Sequence, residues 1–226
     1  MKRVVVPELL DANVGTAREI EDNLADLRMI NRRFGGTRAT MKLLEEVARR
    51  RSLQTVTWLD VGGASGDIAA AAVTSFAKMG IKVEPVVLDL ISSHLNGNGF
   101  SVCGDALALP FRDQSFDVVG CSLFAHHLEP QQIVQFVREA LRVARHAFLI
   151  NDLIRSPLHL ALAQAGRMFY RGQMTRHDAP ASVRRAYTKT EMQQIVQECG
   201  AGEVEVREFF LFRMGVIVWK QQPSTT

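Results

Sequence analysis

Cysteine is scarce in this 226-residue chain: Cys103, Cys121 and Cys199 stand far apart, with no C-x-x-C spacing. That excludes a disulfide framework and gives no zinc signature. No apolar run reaches the ~18 residues that cross a bilayer. The opening Met1-Lys2-Arg3-Val4-Val5-Val6 is cut short by Pro7 and Glu8, so no secretory leader is predicted. Charge of one sign is not in great excess either. The 27 Lys and Arg against 24 Asp and Glu leave +3, too little to imply nucleic acid by itself. Aromatic residues make up only 7%, and the basic segment Arg171 to Lys189 holds Tyr187 alone, so a base-stacking platform does not interleave its charges. Repeats and low-complexity tracts are absent. What remains is a cytoplasmic protein of one core-forming domain, 47% hydrophobic.

The most informative stretch present is Val56 to Asp67, VTWLDVGGASGD. An apolar strand leads to Asp60 and a small-residue turn, and a helix-like run, Ile68 to Lys78, follows. A buried strand, glycine turn and helix start let backbone approach a nucleotide at the strand's carboxyl end. A dinucleotide fingerprint, G-x-G-x-x-G/A, fails here, because from Gly62 the second position is Ala64 and the third is Asp67. A P-loop fails too, since no Gly-Lys-Ser/Thr follows. The stretch resembles motif I of class I S-adenosylmethionine (SAM) methyltransferases, an acidic residue and then G-x-G-x-G. Asp60, Gly62 and Gly66 match, and Ala64 replaces the middle glycine. The resemblance implies SAM as cofactor, held by this turn with Gly63 included. SAM carries no phosphate, so acidic residues are tolerable there.

Residues 13 to 51 read as two helices. Thr16 with Glu19 forms a capping box, Gly35-Gly36 ends the first helix, and Thr37 can cap the second. Strand and helix then alternate. Lys82 to Leu90 is a second strand ending in Asp89, 23 residues past Gly66, where an acidic group accepts hydrogen bonds from ribose hydroxyls. A short third strand over Phe100 to Cys103 leads into Gly104-Asp105-Ala106-Leu107-Ala108-Leu109-Pro110-Phe111. In the methyltransferases it resembles, such a segment holds the adenine, which assigns Asp105 to the exocyclic amine and Ala106 to a ring nitrogen. Ser115 to Ser122 is a fourth strand, Pro130 opens an amphipathic helix, Ala147 to Asn151 is a fifth strand, and two final runs form an antiparallel hairpin. The expected fold is α/β, a Rossmann-like sheet of seven strands in order 3-2-1-4-5-7-6 with strand 7 antiparallel. An N-terminal helical lid (1–52) precedes the cofactor-binding domain (53–222), which carries a substrate cap at about 155–187.

In such a sheet the site lies beyond the strands' carboxyl ends. Those ends carry Asp60, Asp89 with Leu90, Asp105, Ser122 and the pairs His126-His127 and Asn151-Asp152. An imidazole oriented by a carboxylate is a workable general base for a hydroxyl. A post-strand His-His with an Asp ending the next strand is similar to small-molecule O-methyltransferases. That implies His126 as base, Asp152 as its orienting partner and His127 as a substrate contact. The segments Leu27 to Gly36 and Thr175 to Tyr187 also resemble a bacterial group associated with aromatic polyketide or quinone-like metabolites. Cys-Ser-Leu-Phe at strand four lacks the Asn/Asp-Pro-Pro-aromatic pattern of amino-group methyltransferases. No metal site is expected, because adjacent histidines do not make a hard-oxygen site. Arg176, His177 and Tyr187 are expected to reach the substrate from the cap, and a solvated basic loop is the alternative. C-methylation of an activated ring and a non-catalytic SAM-binding role also stay open, as does a homodimer.

Overall fold

Strand β1 (Thr55–Val61) is buried along nearly its whole length and lies at the centre of the sheet. The computed structural model describes residues 1–11, 15–95, 100–200 and 202–221; the first two residues of the expected helical pair, and residue 222 at the end of the expected domain, lie outside them. Around β1 run β2 (Lys82–Asp89), β3 (Phe100–Cys103), β4 (Phe116–Ser122), β5 (Ala144–Leu153), β6 (Val204–Phe209) and β7 (Arg213–Trp219). Their order is β3-β2-β1-β4-β5-β7-β6, and β7 is antiparallel to both neighbours, as expected. Such an order leaves a crevice between β1 and β4, where the connections depart in opposite directions.

The register decides which side chains meet. Val61 pairs with Leu88 and with Cys121, Cys121 pairs with Ile150, and Asp89 pairs with Cys103. The glycine turn, Asp89, Gly104, Ser122 and Asn151-Asp152 therefore reach one edge of the sheet together. On one sheet face Leu59, Val61 and Val119 pack against α4 (Pro130–Val143) and α7 (Lys189–Gln197) through Phe136, Val137, Met192 and Val196. On the other, Val56, Trp58 and Leu149 pack against α2 (Gly36–Arg50) and α3 (Asp67–Ala77) through Leu43, Leu44, Val47 and Phe76. Helix α2 is thus a layer of the core and not a cover. Its apolar stripe is too wide and too deeply buried for a lid that opens.

Helix α1 (Ala17–Arg33) begins with the Thr16–Glu19 capping box and buries polar groups, Asn23, Asp26 and Asn31. Asp26 accepts the Arg171 and Gly172 amides at 3.2 and 3.0 Å, tying α1 to the cap. The segment expected to form the cap is two helices, α5 (Pro157–Gly166) and α6 (Gln173–Arg185). The second was not legible as a helix: its apolar residues are few, and Pro180 sits inside it.

Candidate active site

The turn after β1 is built for close approach. Gly62 has φ of 68°, and a Cβ there would stand 2.8 Å from the Phe124 ring, so both backbone and space demand glycine. Ala64 also adopts a positive φ, 42°, at a cost of about 1–2 kcal/mol for a residue with a Cβ. Gly66 has φ of 69° and starts α3. The turn's amides are committed internally. Gly62 and Gly63 donate to the Leu88 carbonyl at 2.7 and 3.3 Å, and Gly66 donates to Gly63 at 2.8 Å. Ala64 donates to Asp89 Oδ2 at 3.1 Å. Amides engaged in this way do not cradle a phosphate.

Asp89 also accepts from the Ile91 amide through Oδ1, at 3.0 Å. One lone pair per oxygen is left for vicinal hydroxyls. Asp105 Oδ1 accepts the Leu107 amide at 2.8 Å and leaves the other oxygen to solvent. Asp60 lies beneath the turn, with Oδ1 buried and unpartnered among the described residues. Burial, with Asp67 and Asp89 nearby, holds its carboxyl well above the usual carboxylate range. Ser122 Oγ lies 2.9 Å from Thr40 Oγ1, and Asn151 Nδ2 donates to Thr40 Oγ1 and to the Gly36 carbonyl, both at 2.8 Å. That fixes the start of α2 against the ends of β4 and β5.

A cavity of about 790 Å³ opens before this edge, a size that suits small molecules. Its cofactor side is lined by Asp60, Gly62, Gly63, Asp89, Leu90, Asp105, Ala106 and Ser122. His126 and His127 face its other side, with α5 and α6 residues such as His159, Leu162, Ser182 and Val183. Gly66 does not line it; it sets the helix start behind the turn.

His126 is held from both sides. Its Nδ1 lies 2.7 Å from Asp152 Oδ1, and its backbone amide donates to Asp152 Oδ2 at 2.9 Å. Its Nε2 stands 3.3 Å from Glu8 Oε1, in ion-pair contact but outside hydrogen-bond geometry. His127 Nε2 is 3.5 Å from the same oxygen, and its Nδ1 is 2.8 Å from Asp11 Oδ2. Ser182 Oγ donates to Glu8 Oε1 at 2.8 Å. Burial alone would lower the His126 pKa, but Asp152 and then Glu8 push it up to about 10. Burial would raise Glu8, yet His126, His127 and Ser182 bring it down to about 2. Asp152 is likewise lowered, burial being outweighed by His126. With Glu8 in place His126 is an imidazolium at neutral pH. The ligand atoms of Glu8, His126 and His127 lie within 4.8 Å of one another, near enough to share a metal ion. A protonated Nε2, however, offers a proton there and no lone pair.

The expected substrate contacts from the cap are corrected. Arg176 donates to the Tyr170 carbonyl at 3.2 and 3.1 Å, and His177 Nδ1 lies 2.8 Å from Asp178. Both line a separate small hollow with Pro180 and Arg184. On α6 the spacing 177, 180, 181, 184 makes one face, whereas Ala179, Ser182 and Val183 make the cavity face. Tyr187 is buried, donating its hydroxyl to the Leu128 carbonyl at 2.7 Å beneath Arg3, 4.4 Å from the ring centre. Burial leads the causes that push its phenol up to about 12. Arg185 of the basic segment lines the cavity instead, with Glu8 and Arg213, which sequence reasoning did not single out. Glu8 gave no signal beyond breaking an apolar run, since it is brought in by a strap of irregular chain.

Residues 59–147, less than half of the chain, match the family model described as "Methyltransferase domain". No curated protein sequence matches the chain. A SAM-dependent methyltransferase from Aquifex aeolicus has a similar structure, with a TM-score of 0.54 at 19% identity over 77% of this chain and 88% of that one. Human N-acetylserotonin methyltransferase in complex with SAM gives a TM-score of 0.62 at 12% identity, over 90% of this chain and 57% of that one. The CMeT domain of citrinin polyketide synthase gives 0.55 at 14% identity, over 75% and 47%. Residues 59–147 thus match a methyltransferase domain, the fold is the Rossmann-like one of these SAM-dependent enzymes, and SAM is the cofactor that the likeness implies. Its residues fit that cofactor: Asp89 keeps lone pairs for hydroxyls, and the turn's engaged amides refuse a pyrophosphate. No helix among the described residues is long and apolar enough to cross a membrane.

Proposed function

We propose that this protein transfers a methyl group from SAM to a hydroxyl of a small acceptor, of the phenolic or quinol-like kind, with His126 as base and Asp152 as its orienting partner. The observation that carries this reading is the buried His126–Asp152 pair facing a cavity that also holds the glycine turn. Asp89 receives the ribose hydroxyls, and Asp105 and Ala106 the adenine. Bound there, SAM supplies a sulfonium methyl, a cationic electrophile. The acceptor oxygen takes the position of Glu8 against Nε2, and His127 contacts the acceptor beside it. Once Glu8 withdraws, the ring loses one of the two carboxylates that keep it charged and releases its Nε2 proton to solvent; the neutral ring, Nδ1–H still on Asp152, then has a lone pair at Nε2 for the hydroxyl proton. The step is balanced: oxygen gains the methyl and gives its proton to Nε2, while the thioether leaves neutral. The acceptor is a small molecule and not nucleic acid.

Incubation with methyl-labelled SAM and a panel of phenols and quinols tests the reading. Label appearing on oxygen supports it. Label on ring carbon would replace it with C-methylation, and binding of SAM without transfer to any of them would favour a non-catalytic role. Asp89→Ala should weaken SAM binding by about 1.5–3 kcal/mol, the worth of charge-assisted hydrogen bonds. Calorimetry reads this directly, and an unchanged Kd would remove Asp89 from the ribose site.

The Glu8 contact gives a pH prediction with a definite sign. The ring's folded pKa, about 10, lies above its unfolded value of ~6.5. Stabilisation from the strap's ion pair is therefore full below ~6.5 and is lost as pH rises through about 10. Glu8 works the other way: its share is present above its unfolded pKa of ~4.3 and is lost as pH falls through about 2. Glu8→Gln removes one carboxylate, so the ring deprotonates at lower pH. The rise of kcat/KM with pH, which reports the free enzyme, should move to lower pH in this variant. A profile that does not move would separate Glu8 from the base.

A further inference from the structure

Arg213 is the first residue of β7 and pairs with Leu153, one position beyond the Asp152–Met214 pair. Its side chain is 1% exposed and lines the cavity, so its charge has almost no water around it. Burial on this scale calls for a paired partner. Among the described residues no carboxylate lies in ion-pair reach of it. Among the described residues its one side-chain hydrogen bond is a long one, Nη2 to Asn31 Oδ1 at 3.5 Å, and Nη1 has no partner. Asp152, one register position away, makes neither an ion pair nor a hydrogen bond with it: Oδ1 accepts from His126 Nδ1 and the Leu153 amide, and Oδ2 from the His126 amide. The fold nevertheless keeps room for this group. A Cβ on Gly36 would stand 3.1 Å from Nη2 and 2.6 Å from Asn31 Oδ1. Leu153 pairs with it across the strands and His159 lies near enough to feel its charge, and neither supplies an anion.

We propose that Arg213 is the receptor for a carboxylate of a bound ligand, carried either by the acceptor or by the amino-acid end of SAM. A guanidinium with a free Nη1 presents donors suited to a carboxylate, and a dry surrounding makes that pairing strong. Position on β7, beside the His126–Asp152 pair and on the far side of β4 from Asp89, sets an acceptor carboxylate apart from the hydroxyl that reacts. This deepens the methyl-transfer reading and rests on it only for the source of the carboxylate. The receptor itself is tested without turnover.

Thermal melting of the full chain is followed in sodium formate against sodium chloride at equal ionic strength, for wild type, Arg213→Met and Arg213→Gln. Wild type should melt higher in formate, and both variants should lose that difference. In chloride the variants should melt no lower than wild type, because they delete an unpaired buried charge, whereas a merely structural arginine would leave them less stable. No formate-specific rise in wild type, its survival in either variant, or variants that are unstable in chloride would overturn the proposal. Calorimetry then assigns the source, using S-adenosylhomocysteine and 5′-methylthioadenosine, which lacks the amino-acid end. A loss of tenfold or more for the first alone in the variants places the carboxylate on the cofactor. Unchanged affinity for both, with the formate effect gone, places it on the acceptor. Failure of methyl transfer with the formate effect intact would sink the enzymatic reading and leave the receptor standing.

Discussion

His126→Ala is expected to lower kcat by roughly 10²–10⁴ while SAM affinity stays nearly unchanged. The ring reaches the cavity through Nε2, and its other nitrogen is fixed at 2.7 Å from Asp152. Other imidazole–carboxylate pairs differ: His127 pairs with the exposed Asp11, and His177, paired with Asp178, lines the separate hollow, while His159 is held by the Ile154 carbonyl. Asp89 and Asp105 lie at the opposite end of the strand edge, so the proposed cofactor contacts are separable from the proposed base. Because alanine would leave Asp152 buried without its partner, His126→Asn is a useful companion that keeps a polar group beside it. Asp152→Asn should cost less than either, since a hydrogen-bonding side chain remains but the imidazolium is less favoured. Single-turnover rates with calorimetry of SAM decide the matter. A mild effect of His126→Ala would sink the general-base assignment and favour an acceptor already ionised or reacting at carbon.

Phe136→Ala should cost about 3–5 kcal/mol of stability, the range for a large buried aromatic whose cavity collapses only in part. The side chain is completely buried, with Phe148 at 4.9 Å and 74° on one side and Phe124 at 5.5 Å and 81° on the other. Edge-to-face geometry adds to the burial term. The loss reaches the site, because Phe124 covers Gly62 and stacks at 6.1 Å on His127. Urea unfolding monitored by circular dichroism measures the first effect, and SAM calorimetry the second. A change below about 1 kcal/mol would mean that the space refills and that Phe124 is held by other contacts.

Much of the cofactor end was legible along the chain, for a physical reason. A glycine turn, an acidic strand end some twenty residues later and a Gly-Asp-Ala segment are local devices, each made by a few consecutive residues whose backbone demands show in their types. Parallel strands then fix their mutual position, so Asp60, Asp89 and Asp105 had to share an edge. His126 and Asp152 followed by the same rule, as the ends of adjacent strands β4 and β5.

Helix α2 was legible as a helix but not as a core layer, because the partner of an apolar stripe is chosen by packing. The cap was misjudged for a related reason. Polarity in Arg176 and His177 says that they avoid the core, but only the phase of α6 says which way they point. The strap that carries Glu8 to His126 has no periodicity at all; its place comes from Asp178 accepting the Leu9 and Leu10 amides and from Arg3 binding the Arg185 carbonyl. Arg213 reads as an ordinary charged residue at a strand start, and its burial is decided by Gly36 and Asn31, some 180 positions away. Sequence by itself determined the sheet, its order and which acidic residues share its carboxyl edge, since these rest on short-range patterns and on topological rules. The protonation of His126, the exclusion of Tyr187 from the cavity and the isolation of Arg213 belong to tertiary structure alone. Each depends on how much water reaches a group and which charge stands opposite it, and both are properties of the packed chain.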